Sequence, residues 1–313
     1  MPRHLALAIF TLLSAAISLH WALPGAGLEP GVASEIFWQL RLPRVLLAGF
    51  CGAALALCGA VLQGFFRNPL VEPGLLGISA GAGLAAVLVL ALGVSSLWML
   101  PLAAAGGALL ALGLVLALAR RVGGAAENLL LAGIAINALA GALVNLLLSL
   151  SDNTTLRSAS FWLLGSFTLA QTPLLYTSLA LLPLLVWALW RRAAALDVWA
   201  LGEAEARHLG LDVPRFRREL VWLCAILVAL AIAQAGSIGF IGLLGPHLAR
   251  RVVGHAHARL LPAALWMGAA LAIWADLLAR SLIAPLELPV GVLTALLGAP
   301  LFLFLFLRQR SWP

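Results

Sequence analysis

The histidine pattern is the part of this sequence most similar to a metal site. His255 and His257 form a His-x-His pair, but they fall in a predicted turn among arginines, where solvated histidines are the simpler interpretation. The sequence contains no paired carboxylates at a useful spacing, no Gly-x-Ser-x-Gly and no His-Glu-x-x-His. We therefore expect no metal site, no catalytic residues and no enzymatic activity, including that of an intramembrane enzyme.

A Walker A motif is excluded for this chain, because the sequence contains no lysine. All 19 of its Lys and Arg residues are Arg. A Walker A loop requires a Lys that reaches the β- and γ-phosphates. If the protein uses ATP, another subunit must bind it.

Polar residues inside long apolar runs form the second group of interest. Asn137 and Asn145 are eight residues apart in one run, so they lie on roughly the same helical face. They could line a pathway or hydrogen-bond between helices, and both interpretations remain open. Asp276 and Arg280 are four residues apart and are expected to form a structural ion pair.

The composition identifies the environment in which these residues must be held. The 313 residues are 63% hydrophobic and 10% charged, with a mean hydropathy of +1.07. These values exclude a soluble or disordered chain, and the Leu- and Ala-rich blocks favour membrane helices over a β-barrel. The net charge of +7 comes from arginines at the ends of apolar runs instead of a basic face, so no nucleic acid partner is expected.

The apolar runs predict an all-α membrane protein with about ten transmembrane helices in a single domain, residues 1–313. The predicted spans are 5–22, 44–66, 73–93, 98–119, 128–150, 173–190, 219–235, 240–253, 260–279 and 289–307. With both termini in the cytoplasm, fifteen arginines are inside and four, Arg41, Arg44, Arg157 and Arg280, are outside. This asymmetry supports the ten-span topology. The first run could instead be a secretory signal, but the topology favours a retained helix.

Two predicted loops are long enough to have a role. The outer loop, 151–172, contains a short amphipathic helix with Phe161 and Trp162, suited to an interface or a pore mouth. The inner loop, 191–218, contains a segment, 201–213, with Leu201, Ala204, His208 and Leu211 on one stripe and Glu203 and Arg207 as an i,i+4 pair. From the residues alone, this helix could lie on the membrane or dock into a partner.

A third segment, residues 67–83, interrupts two apolar runs with Arg, Asn, Glu, Pro and Gly. Unpaired backbone groups in lipid cost several kcal/mol each, so this break must lie at a bilayer surface or line a cavity enclosed by protein.

Five motifs occur in an order that resembles the permease subunits of ABC importers for iron-siderophores, haem and cobalamin. The motifs are RLPR (41–44), FRNPLVEPGLLGIS (66–79), LGEAEARHLG (201–210), GSIGFIGLLGPHLARRVVG (236–254) and ELPVGVLTALLGAP (287–300). The resemblance covers residues 36–308. It departs from the family's pattern at Gly254-His255-Ala256-His257, which lacks an acid, and at Ala80, where cobalamin permeases carry Asn.

The resemblance implies a homodimer in the bacterial inner membrane, with two ATP-binding subunits inside and a periplasmic binding protein outside. No permanently bound cofactor is implied, and ATP is used by the partner subunit. By similarity, segment 201–213 is the coupling helix seated in the ATPase, and the break at 67–83 is the turn between the second and third helices.

The resemblance also assigns residues to roles. Docking of the binding protein falls to Arg41, Arg44 and Arg280. Coupling falls to Leu201, Gly202, Glu203, Ala204, Arg207, His208, Leu209, Gly210 and Leu211. The pathway and its gate fall to Ala126, Glu127, Asn128, Asn137, Asn145, Phe161 and Trp162.

The cargo implied by the resemblance is haem, with cobalamin and ferric siderophores as alternatives. A protein of another class, a secondary transporter acting alone, would need a membrane-buried carboxylate or cation site near mid-bilayer. The candidate acid for that role, Asp276, lies near a predicted helix end with a cation beside it.

Overall fold

The computed structural model describes residues 2–20, 30–94, 96, 98–123, 126–168 and 170–308, and these residues contain helices and no strands. The helices are α1 (Pro2–His20), α2 (Pro30–Glu35), α3 (Leu42–Phe65), α4 (Ile78–Ala91), α5 (Met99–Arg121), α6 (Ala126–Leu150), α7 (Asn153–Leu164), α8 (Thr172–Trp190), α9 (Ala193–Trp199), α10 (Glu203–His208), α11 (Val213–Ala235), α12 (Ile241–Val253), α13 (His257–Ser281) and α14 (Val290–Arg308). A π-helical turn (Ile36–Arg41) leads into α3, and a 3₁₀ turn (Pro73–Leu76) precedes α4.

The all-α membrane fold predicted from the sequence is confirmed, and each of the ten predicted spans coincides with a helix. Among the described residues, six helical segments are long and apolar enough to cross a membrane, and two shorter apolar helices accompany them. Residues 21 and 22, which end the first predicted span, lie outside the described residues. The other helices, α2, α7, α9 and α10, are short connecting elements.

Two of the predicted spans are short helices. α4 has 14 residues and α12 has 13, so each is about 20 Å long at 1.5 Å per residue, against an apolar bilayer core of about 30 Å. The third span was predicted to begin at residue 73, which is wrong for the α-helix. Gly77 has a φ of 81°, and this left-handed residue separates the 3₁₀ turn from α4.

α3 is the central helix of the bundle, because 19 of its 24 residues are buried. It packs against α11, α12 and α13. At Gly52 a Cβ atom would overlap the backbone carbonyl of Gly268 in α13, and a Cβ on Gly268 would overlap that of Gly52. Small residues therefore permit the close approach of these helices, as is usual where van der Waals packing drives association in membranes.

The long axis of α3 defines two ends of the molecule, which are about 36 Å apart for 24 helical residues. Arg44 lies in its first turn, and we call that end the Arg44 end. Phe65 ends the helix and contacts Trp199 of α9, so we call the other end the Trp199 end. α9, α10 and the first residues of α11 and α13 gather at the Trp199 end.

Candidate functional site

An ion-pair cluster joins α3 to α13 at the Arg44 end. Nε of Arg44 lies 2.9 Å from Oδ1 of Asp276, and its Nη1 lies 3.0 Å from Oε2 of Glu287. The Asp276 side chain is 1% exposed and that of Arg44 is 13% exposed. Asp276 was expected to pair with Arg280, but that contact is longer, at 3.8 Å. The closer partner is on another helix, which spacing along one helix could not indicate.

Two further arginines at this end hold the last turn of α1. Arg280 donates to the carbonyl and the hydroxyl of Ser18, and Arg41 donates to the carbonyl of Leu19 at 3.0 Å. Cations at a helix C-terminus are favourable because the last carbonyls carry partial negative charge. Arg41, Arg44 and Arg280 therefore share one end of the molecule, and each has contacts within the chain.

Glu287 connects this cluster to the segment that follows α7. Its carboxylate accepts a hydrogen bond from Oγ1 of Thr168 at 3.2 Å as well as from Arg44. The hydrogen bond from Arg44 lowers the pKa of Glu287 from its usual value. The carboxylate is thus held in its charged form where the 151–172 segment meets the segment between α13 and α14.

An aromatic cluster fixes α9 beneath α3 at the Trp199 end. The Trp199 ring stacks on Phe65 with centroids 5.5 Å apart, and its Nε1 donates to the Phe65 carbonyl at 2.6 Å. Phe216 of α11 lies 6.0 Å from the Trp199 ring, and the Arg67 guanidinium lies 5.5 Å from its centroid. The position of α9 is therefore set by packing on the end of α3.

α10 follows α9 and presents an exposed surface. The structure confirms the predicted pair of Arg207 and Glu203, at 2.6 Å. Gly202 and Gly210 flank the helix with positive φ values of 130° and 85°. Leu201 and Leu209 are each 64% exposed.

The predicted stripe from Leu201 to Leu211 is not one helical face. The helix spans only Glu203–His208, so both leucines lie beyond its ends. Ala204, Arg207, His208 and Gly210 are exposed, whereas Gly202 is buried and Leu211 is half-buried against the core. Ala206 is the residue of the helix that packs inward.

The prediction that His257 is a solvated loop residue is wrong. His257 is 7% exposed, its Nδ1 lies 2.5 Å from Oδ1 of Asp197, and its backbone N–H donates to the same oxygen at 3.1 Å. Gly64 makes room for the imidazole, since a Cβ there would overlap its Nε2. His255 is exposed. Within the described ranges, no three His, Cys, Asp or Glu residues are grouped to hold a metal ion.

The two asparagines of α6 have different environments. Asn137 is half-buried and donates to the carbonyl of Gly74 at 3.1 Å, which is the interhelical role left open by the sequence. Asn145 is exposed. At the start of α6, Asn128 donates to the Val122 carbonyl at 2.9 Å and so closes the turn after α5. Ala126 is half-buried and Glu127 is exposed.

The predicted short helix in the 151–172 loop is confirmed as α7, which begins after the N-cap residue Asp152. Phe161 is 55% exposed, whereas Trp162 packs against the core. A largely apolar cavity of about 570 Å³ lies between the end of α7, the residues before α12, and α14. Its lining residues are Leu163, Leu164, Ser237, Gly239, Gly291, Val292, Ala295, Leu296, Ala299 and Pro300.

Sequence reasoning missed Glu72 as a half-buried acid whose partner lies on a distant segment. Its Oε2 accepts a hydrogen bond from the backbone N–H of Phe240 at 3.1 Å. Only the tertiary fold brings these residues together, since 168 positions separate them. The sequence signal that could have identified Glu72 is its position as the single acid in the Pro- and Gly-rich segment 67–83.

These features define a class of protein. Apolar helices pack through small residues, the Arg44 ion pairs lie at one end of the bundle, and the exposed helix α10 lies at the other end. This arrangement is expected of a membrane translocation subunit. The sequence matches the FecCD transport family over residues 5–308, and the chain belongs to that family.

Three comparisons define the relationship more closely. The chain is 47% identical to the hemin transport system permease protein HmuU of Yersinia pestis over 283 residues, which are 88% of this chain and 84% of the relative. It is 42% identical to the vitamin B12 import system permease protein BtuC of Klebsiella pneumoniae over 310 residues, 98% and 92% of the two chains. It superimposes with a TM-score of 0.90 on a solved inward-facing structure described as a metal-chelate type ABC transporter, at 36% identity, with 98% and 100% of the chains covered.

The resemblance seen in the motifs is therefore confirmed. The chain is a permease subunit of an ABC importer and not an enzyme, and ATP hydrolysis belongs to separate subunits.

Proposed function

We propose that this permease moves haem across the bacterial inner membrane, powered by ATP hydrolysis in a partner subunit. The observation that carries the proposal is the 47% identity to a hemin permease over 88% of the chain. The motifs around Phe66–Ser79 and before α8 support the same cargo. No cofactor is bound permanently, and the cargo is delivered by a periplasmic binding protein.

The proposed assembly is a homodimer with two ATP-binding subunits. The exposed face of α6 supports the dimer, because it carries large apolar side chains that stay uncovered within the part of the chain that the structure describes. Leu131, Leu139, Leu143 and Leu146 on this helix are 39–65% exposed. A second copy placed against it would bury this surface, leaving the pathway between the two chains, with Glu127, Asn145 and Phe161 facing it.

The two ends of the molecule then serve different partners. α10 and its flanking leucines seat in the ATPase, with the Trp199 cluster transmitting movement of α9 to α3. Arg41, Arg44 and Arg280 provide positive charge at the opposite end for acids of the binding protein. The geometry fits both roles, because the α10 leucines are exposed and the three arginines gather at one end.

Cobalamin is the second candidate cargo, because identity to a vitamin B12 permease is 42% over nearly the whole chain. Ferric siderophores are the third. A secondary transporter acting alone is disfavoured by the environment of Asp276, which two arginines neutralise.

Uptake into proteoliposomes tests the cargo and the mechanism together. The permease is reconstituted with its ATPase, the binding protein is added outside, and haemin, cyanocobalamin and a ferric hydroxamate are compared. We expect ATP-dependent uptake of haemin above the other two. Preferred uptake of cobalamin or the hydroxamate would replace the haem assignment, and ion-gradient-driven uptake without the ATPase would refute the importer assignment.

A further inference from the structure

The N-terminus of α12 meets the 3₁₀ turn that precedes α4. Gly242, in the first turn of α12, packs against Pro73 at the start of the 3₁₀ turn before α4, where an added Cβ would lie 2.8 Å from the proline Cδ. The Gln63 side chain donates to the carbonyls of Val71 and Gly242, at 3.2 and 3.4 Å. The break between α3 and α4 is thus attached to the N-terminus of α12.

Glu72 adds a hydrogen bond between its side chain and the backbone at this junction. Phe240 precedes α12 with a φ of 67° and a ψ of −24°, a left-handed conformation that is unfavourable by about 1–2 kcal/mol for a residue other than glycine. The Glu72 carboxylate accepts the Phe240 N–H. A carboxylate is favourable here because the first N–H groups of a helix carry partial positive charge.

The side chain of Phe240 reaches α14 next to the cavity. Its ring lies over Gly298, where an added Cβ would overlap the ring. Ala295 and Ala299, adjacent to Gly298 on α14, line the cavity together with Gly239. The backbone conformation of Phe240 therefore sets how α12 meets α14 at the edge of the cavity.

We propose that Glu72 is a positioning residue for translocation, which holds Phe240 in its left-handed conformation and thereby keeps α12 packed on α14. The inference rests on the permease function of the chain but on no particular cargo. If α4 moves relative to α12, the hydrogen bond between Glu72 and Phe240 must either be lost or move with them. This hydrogen bond therefore couples the segment between α3 and α4 to the wall of the cavity.

Hydrogen exchange of the full-length protein in lipid nanodiscs tests the contact directly. For Glu72→Ala we expect amide exchange over residues 237–245 to rise about tenfold, the effect of losing roughly 1.4 kcal/mol from one hydrogen bond. Glu72→Gln keeps an acceptor oxygen but loses the carboxylate, so exchange should rise by no more than about threefold. Glu35→Ala, at an exposed glutamate of α2, is the matched control. Unchanged exchange in Glu72→Ala would overturn the proposal.

A second variant, Phe240→Gly, tests the proposal even if Glu72→Ala raises hydrogen exchange throughout the bundle. Phe240→Gly adopts the left-handed conformation without strain, so adding Glu72→Ala to it should raise exchange over 241–245 less than in the wild-type background. An equal rise in both backgrounds would mean that Glu72 does not act through Phe240, and would refute the proposal.

Transport kinetics separate positioning from simple structural support. With haemin as the probe, Glu72→Ala should lower the maximal uptake rate about tenfold and leave the KM for the loaded binding protein within about twofold, with Glu72→Gln within about threefold of wild type. A change confined to KM would contradict the proposal. If the wild type moves no haemin, the haem assignment fails, while the exchange experiment still decides the role of Glu72.

Discussion

The Arg44 guanidinium and the Asp276 carboxylate lie 2.9 Å apart across the α3–α13 interface, both largely removed from solvent. Asp276 was expected to find its partner one turn away, at Arg280. The cross-helix pair instead ties the central helix to α13, the helix that also approaches α3 closely at Gly52 and Gly268.

Removing one member of this pair should destabilise the protein strongly. Arg44→Leu leaves the buried Asp276 charge with only the longer contact to Arg280, and we expect a loss of about 3–5 kcal/mol. The double variant Arg44→Leu/Asp276→Leu should be more stable than Arg44→Leu. Thermal unfolding in detergent measures both, and a double variant no more stable than the single one would contradict the assignment.

Glu287 should make stability depend on acid pH. Its pKa is lowered in the folded protein by the hydrogen bond from Arg44. Its contribution is therefore complete above the unfolded value of about 4.3 and is lost as the pH falls through the lower folded value. The difference in Tm between wild type and Glu287→Gln should be constant near neutral pH and shrink below about pH 4.3. A difference that is the same at all pH values would exclude this carboxylate as the cause.

The exposed leucines beside α10 should be needed for coupling to the ATPase. Leu201→Asp and Leu209→Asp should lower association with the ATPase about tenfold or more, because removing a buried anchor from an interface costs 2 kcal/mol or more. Both residues are exposed in the single chain, so Tm should not change. Arg218→Ala, at an exposed residue of α11, is the control. Unchanged co-purification of the ATPase with both leucine variants would remove α10 from the coupling site.

Arg41 provides the test of docking at the Arg44 end. Arg41→Glu should weaken binding of the loaded binding protein, and charge reversal of an acid on that partner should restore part of the affinity. Binding to nanodisc-embedded permease at low and high salt gives the measurement. Arg120→Glu, at an exposed arginine in the last turn of α5, is the control. Affinity equal to wild type at low salt would refute the docking role.

Adding one methyl group at Gly64, beside the His257 imidazole, should lower the stability of the protein. Gly64→Ala places a Cβ against the imidazole and should displace it from Asp197, with a loss of stability of about 1–3 kcal/mol from overpacking. Gly113→Ala, at a helical glycine with open space where a Cβ would lie, should leave the stability unchanged or raise it. Thermal unfolding compares them, and equal behaviour of the two variants would contradict the assigned packing.

The transmembrane organisation was predictable because it depends on local composition. Apolar runs near 20 residues and arginines at their ends identify ten helices without any knowledge of how they pack. The Glu203–Arg207 pair and the helix in the 151–172 loop were predictable for the same reason, since residues one turn apart meet in any helix.

The boundaries of α4 and α10 were less predictable. Hydropathy does not show that Gly77 is left-handed or that α10 ends at His208, because backbone conformation at these positions depends on packing against other segments. The predicted third span and the predicted stripe were both too long for this reason.

The sequence by itself determined that this protein is a membrane permease of many helices, because hydrophobicity and motif order are properties of the linear chain. The tertiary structure decided which polar groups meet: Arg44 with Asp276, His257 with Asp197, and Glu72 with the N–H of Phe240. These partners are 60 to 232 residues apart. Helix packing selects such contacts by shape and burial across the whole bundle, and no periodicity in the sequence encodes them.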